Sequence, residues 1–206
     1  MLVLALSLAL TAAGGASVSG CGSGAGDGSA IVPPEGRYRG SEPPGRIPIP
    51  RFVLRGVMSG GPIDSNDLRG RVVLITFLDT DCKDKCPLIA SAIVEGLRLL
   101  SPSLRQKTTA IAISVNPLID TRLSVRRFFG QRHADAMTYL TGSVAELKPV
   151  WKKFGVVSAY ETGDADTHSA DVRVFDPNGI WVATQHSGVD LTPANLAHDI
   201  ERALEN

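Results

Sequence analysis

With 206 residues, 43% of them hydrophobic, the chain is long enough to bury one sizeable core, and two domains would each be small once its atypical N-terminus is set aside, so one domain is expected. Lys plus Arg and Asp plus Glu number 21 each, so no net field recruits nucleic acid or an acidic surface. That balance argues against nucleic-acid binding.

Residues 1–21 start with the apolar run Met1 to Leu10, pass through small residues and end at Cys21. The pattern reads as a secretory h-region with a cleavage zone, and the run is too short to span a bilayer. Its ending, Val18-Ser19-Gly20-Cys21, resembles a bacterial lipobox, which implies a diacylated Cys21 as the first mature residue. Lipid chains there would anchor an exported protein to the outer face of the bacterial cytoplasmic membrane. No Lys or Arg precedes Cys21, so plain secretion stands as the alternative. Residues 22–50 are Gly/Ser-rich and then proline-rich, with Pro33-Pro34, Pro43-Pro44, Pro48 and Pro50. Glycine makes the first part floppy and proline makes the second semi-extended, so they predict a tether. Residues 51–206 are left as one domain.

In that domain, strand and helix patterns alternate. Phe52-Val53-Leu54 predicts a short strand, and Gly61-Pro62-Ile63-Asp64 a turn. Val72 to Leu78 is continuously apolar, as a central strand covered on both faces should be. Pro87 suits the first position of a helix, in which Leu88, Ile89, Ile93, Leu97 and Leu100 recur at helical spacing. Thr108 to Val115 predicts the next buried strand, Thr121 to Gln131 a helix, and Met137 to Leu140 a short strand. Ser143 and Glu146 have capping-box spacing for a helix ending near Phe154. Glu161 to Thr167 reads as an exposed polar loop, and Ala170 to Phe175 as a strand. Asp176-Pro177-Asn178-Gly179 turns it back into Ile180 to Thr184. Thr192-Pro193 opens a last helix with Leu196, Ile200 and Leu204 on one face. The order is that of an α/β, thioredoxin-like three-layer fold, with a central mixed sheet, flanking helices and a β-hairpin insertion.

The chemistry concentrates in Asp79-Thr80-Asp81-Cys82-Lys83-Asp84-Lys85-Cys86-Pro87, where a strand hands over to a helix. With Cys21 lipidated, Cys82 and Cys86 remain as an even pair in an exported protein. A helix N-terminus stabilises negative charge, so a cysteine here should ionise readily, which helps metal capture and disulfide exchange alike. Three intervening residues let both sulfurs point at one ion, and His168 offers a nitrogen that suits copper in either oxidation state. Zinc with an open position is also chemically allowed. A structural Cys82–Cys86 disulfide would close a tiny loop and gain little. His133, His186 and His198 have no ligand-like spacing. Asp79, Asp81 and Asp84, mixed with Lys83 and Lys85, read as a solvated loop, with Asp84 able to orient a ligand.

Thr80 to Pro87, Val115-Asn116-Pro117 with Asp120-Thr121, Leu140-Thr141-Gly142-Ser143, and His168-Ser169 followed by Val174 to Gly179 resemble the Sco/SenC family, in the same order. The resemblance implies a thioredoxin-like fold that binds one copper ion, Cu(I) or Cu(II), through Cys82, Cys86 and His168. It further implies a part in maturing the binuclear copper centre of cytochrome c oxidase, by delivering copper or by reducing that centre's cysteines. The partner would be the oxidase's copper-centre subunit or another cuproprotein. The chain departs from the family pattern at Lys83, Asn116 and Thr167, where the family usually has Pro, Asp and often Asp; no ligand is lost.

Two other functions compete with an assembly factor. A membrane-tethered thiol-disulfide oxidoreductase would use Cys82 and Cys86 as a redox pair, yet thioredoxin-like oxidoreductases generally carry Cys-x-x-Cys and a cis-proline where Ser169 stands here. A peroxidase resembling peroxiredoxins needs a Thr and an Arg at its cysteine; Thr80 has the wrong offset, and no Arg flanks the motif.

Overall fold

The computed structural model describes residues 36–206. In chain order, its elements are β1 (Ile47–Pro48), β2 (Val53–Gly56), β3 (Pro62–Asp64), β4 (Val72–Leu78), α1 (Lys85–Leu99), α2 (Pro102–Gln106) and β5 (Thr108–Ser114). They continue with α3 (Arg122–Gly130), β6 (Met137–Thr141), α4 (Val144–Phe154), α5 (Ala159–Thr162), β7 (Asp171–Phe175), β8 (Ile180–His186) and α6 (Pro193–Leu204). The leader, its Cys21 and residues 22–35 of the expected tether lie outside the described residues. Among the described residues, no helix is long and apolar enough to cross a membrane.

All seven residues of β4 are buried. Successive side chains of a strand point to opposite faces, so β4 feeds two cores. Val72, Leu74 and Leu78 pack with Ile89 and Ile93 of α1, Val125 of α3, and Leu196 and Ile200 of α6. Val73, Ile75 and Phe77 meet Leu147, Val150, Trp151 and Phe154 of α4 on the other side. Three layers result, in a thioredoxin-like arrangement. Each large apolar side chain buried this way contributes about 1.5–3 kcal/mol.

The eight strands run in the order β1-β8-β7-β4-β5-β6-β2-β3. β4, β5 and β6 are parallel, whereas β7 is antiparallel to β4. The C-terminal ends of β4 and β5 therefore share one end of the sheet with the N-terminal end of β7. Carboxyl ends of parallel strands are where open α/β sheets place their sites.

The structure differs from the sequence expectations in four places. Pro62–Asp64 is a strand, not a turn, because Val53 pairs with Asp64 and Leu54 with Ile63 in a hairpin. The short α2 follows Ser101, whose hydroxyl caps Leu104 N–H, with proline at its start. One turn of helix, α5, opens the polar stretch before His168. Most instructive is the second half of the expected tether, which folds onto the sheet. Arg39 and Gly40 donate backbone N–H groups to the buried Asp199 carboxylate at 2.6 and 2.9 Å, and β1 pairs with β8. Proline is tolerated there because β1 is an edge strand. A Cβ on Gly40 would lie 2.5 Å from Thr184 O, so only glycine passes this point.

Candidate metal centre

Cys82 lies in the loop leaving β4, Cys86 is the second residue of α1, and His168 lies between α5 and β7. Their two sulfurs and an imidazole nitrogen all fall within 4.8 Å of one another. His168 Nε2 is 3.1 Å from Cys86 Sγ. Both cysteines are free and buried, and His168 is half-buried. The sulfurs also accept backbone hydrogen bonds, Cys86 from Asp79 N–H and Cys82 from Cys86 N–H, each at 3.4 Å.

His168 Nδ1 lies 2.7 Å from Ser169 O. A carbonyl only accepts, so Nδ1 carries a proton and Nε2 faces the sulfurs. Ionisation of the pair is lopsided. A hydrogen bond from Cys86, together with one from His168, outweighs burial and lowers the Cys82 pKa to about 5. Cys86, the donor to that thiolate and more deeply enclosed, is pushed up instead. Burial pulls His168 down, but its bonds to Cys82 and to Ser169 O outweigh it and raise its pKa. At neutral pH the centre holds one thiolate and one thiol beside an imidazole that protonates readily. Two soft sulfurs and a nitrogen in this spacing suit Cu(I) or Cu(II).

The loop around Cys82 is solvated at Asp81, Lys83, Asp84 and Lys85, as expected, but not at Asp79. Asp79 is fully buried; its carboxylate accepts from Asn116 Nδ2 at 3.1 Å and from Asp81 N–H at 2.7 Å. Thr80 gives both its N–H and its hydroxyl to Asp120, at 2.9 and 2.7 Å. Ser114 and Tyr139 give their hydroxyls to the same carboxylate, whose pKa burial raises. Asp120 thus joins the loop after β4, the end of β5 and the middle of β6. Asp84, expected as a possible orienting residue, makes no capping bond at the start of α1. Lys83 extends its amine to Asp81 at 2.7 Å and is 75% exposed, so its charge faces solvent rather than the sulfurs. Because Thr80's hydroxyl serves Asp120, it is not aimed at a cysteine as a peroxidase pocket would need.

Asp79, Asn116, Asp120 and Asp166 escaped sequence reasoning as parts of the site. Asp79 lies just after β4 and Asn116 and Asp120 just after β5, in loops that the parallel sheet brings together, whereas Asp166 precedes β7 beside His168. His133, His186 and His198 stay outside the centre.

The family model described as SCO1/SenC matches residues 50–205. A SCO2-like protein of Rickettsia felis is 27% identical over 144 residues, covering 67% of this chain and 68% of that protein. The structure of Bradyrhizobium japonicum ScoI with copper bound is 28% identical, with a TM-score of 0.65 over 77% of this chain and 100% of that one. Apo Sco1 from Thermus thermophilus, 24% identical, shares the fold with a TM-score of 0.68, over 81% of this chain and 97% of that one.

Proposed function

The chain belongs to the SCO1/SenC family, and from that premise we propose that it is a copper-binding assembly factor. Cys82, Cys86 and His168 hold one copper ion, and the copper is cargo for the binuclear centre of cytochrome c oxidase or of another cuproprotein. The convergence of two sulfurs and one imidazole within 4.8 Å carries this reading. The copper bound by the similar Bradyrhizobium protein supports it. The donor set fits the metal: thiolate and imidazole are ligands that copper prefers. Zinc would accept the same three donors with an open fourth position, so competition between the two ions belongs in the test. In this reading Cys21 carries the lipid anchor, and the Gly/Ser-rich segment lets the domain reach a membrane-embedded recipient.

The residues divide the work. Cys82 is poised as a thiolate to take the ion first, and Cys86 must surrender its proton for the second bond. His168 presents Nε2 because Ser169 O holds Nδ1–H. Capture therefore releases protons, and affinity rises with pH.

The asymmetric thiols favour a second reading. A low-pKa Cys82 beside a protonated Cys86 is the pairing a dithiol reductant uses. The Cys82 thiolate attacks a recipient's disulfide, forming a mixed disulfide and freeing one recipient thiol. Cys86 then attacks Cys82, so the chain becomes the disulfide and the recipient the dithiol, with two electrons transferred.

Anaerobic titration with Cu(I) separates these readings. The copper role predicts one equivalent bound by the full chain, in preference to zinc, and weaker binding by His168→Ala. Failure to hold an equivalent, or equal affinity in the variant, removes it. If His168→Ala reduces the disulfide of a copper-centre domain as fast as the parent, the reductant reading gains.

A further inference from the structure

The His168 segment is shaped by its own hydrogen bonds. Asp164 accepts from Asp166 N–H at 3.0 Å and from Thr167 Oγ1 at 2.6 Å, and Thr162 Oγ1 donates to Thr167 O at 2.9 Å. Just beyond the histidine, Ser169 is tied to Val157, its N–H to the carbonyl at 3.1 Å and its hydroxyl accepting Val157 N–H at 3.0 Å. These bonds fix the segment's outline but not its distance from the thiols. Apolar packing does not fix it either, since residues 161–164, 166 and 167 are exposed.

Besides the imidazole itself, Asp166 spans the gap. Asp166 Oδ1 accepts the Lys83 N–H at 3.0 Å. Lys83 stands between the two cysteines, and Asp166 stands two residues before His168, so this bond joins the two halves of the centre.

Resting on the copper reading above, we propose that Asp166 is the positioning residue that holds His168 within reach of the two thiols. It acts through the histidine rather than on the metal. An amide at this position would keep an oxygen for Lys83 N–H, whereas a methyl group would not, and this separates placement from charge.

The test uses the full chain with Asp166→Ala and Asp166→Asn, each with and without His168→Ala. In the metal-free protein, Asp166→Ala is expected to speed Lys83 amide exchange by about 10-fold as the contact opens. With Cu(I) as the probe, it is expected to weaken binding about 10–100-fold, the loss usual for partners that orient ligands. Asp166→Asn restores both measurements to near the parent values. In the His168→Ala background, Asp166→Ala costs no further affinity, because its effect passes through the ring. Unchanged exchange and affinity in Asp166→Ala overturn the proposal. So does an equal loss in both backgrounds, or an Asp166→Asn variant as impaired as Asp166→Ala, which assigns the effect to charge. If the parent itself takes up no Cu(I), the copper reading fails on its own, and Lys83 exchange in the metal-free variants still decides whether Asp166 holds the segment.

Discussion

Cys86 and His168 meet at 3.1 Å from two differently supported regions. Cys86 has no exposed surface and sits on the first turn of α1, above Ile89, Ile93 and the central strand. His168 rides on a segment whose side chains are mostly exposed and whose bonds are mostly local. Burial of large apolar side chains fixes the sulfurs, at about 1.5–3 kcal/mol each. A few hydrogen bonds fix the imidazole, at about 0.5–1.5 kcal/mol each. The difference separates the donors of the centre by how firmly each is held. The sulfurs are as permanent as the fold, and the imidazole sits at the low-stability end of the molecule.

The comparison breaks if the two regions respond alike to substitution. Ile93→Ala, in the core beneath Cys86, should destabilise the fold by about 2–5 kcal/mol, measured by denaturant unfolding, while the folded fraction keeps its copper affinity. Asp120→Ala should cost about 1–3 kcal/mol, because Thr80, Ser114 and Tyr139 lose their common acceptor. It should also loosen the Cys82 loop, seen as faster amide exchange at Thr80. His168→Ala should change stability by no more than about 0.5 kcal/mol, as expected for a weakly packed position, yet weaken copper binding. A stability loss matching that of Ile93→Ala would end the distinction.

A pH titration sharpens the same contrast. In the metal-free protein, the ultraviolet thiolate absorbance of Cys82 should fall as pH drops through about 5, well below the ordinary thiol value near 8.5. Lower pH restores the proton, so the thiolate is present above that midpoint and lost below it. His168→Ala removes one stabilising bond and should move the midpoint upward. A parent midpoint near 8.5 contradicts the arrangement of the three side chains.

The layers and the three converging side chains were legible from sequence, for physical reasons. A fully apolar Val72–Leu78 requires cover on both faces, and the 3.6-residue recurrence of Ile89, Ile93 and Leu97 requires a buried helix face. Ser143 and Glu146 form the capping box their spacing announces. Cys82, Cys86 and His168 are rare residue types with a distinctive chemistry, and the family resemblance joined them across the chain. Asp79 and Asp120 were hidden because a carboxylate in a loop reads as solvated until its donors are located, and those donors come from neighbouring strands and the loops that follow them. The strap at residues 37–49 was hidden because proline-rich sequence signals extension without saying whether an edge strand waits to receive it. Asp199, its anchor, looks from sequence like any charged residue on a helix.

The most direct test of the account is X-ray absorption at the copper edge of the full chain loaded with one equivalent of Cu(I). Two sulfur scatterers and one nitrogen scatterer are predicted, the nitrogen disappearing in His168→Ala with both sulfurs kept. A shell of nitrogen and oxygen alone, or a nitrogen signal that survives His168→Ala unchanged, would contradict it.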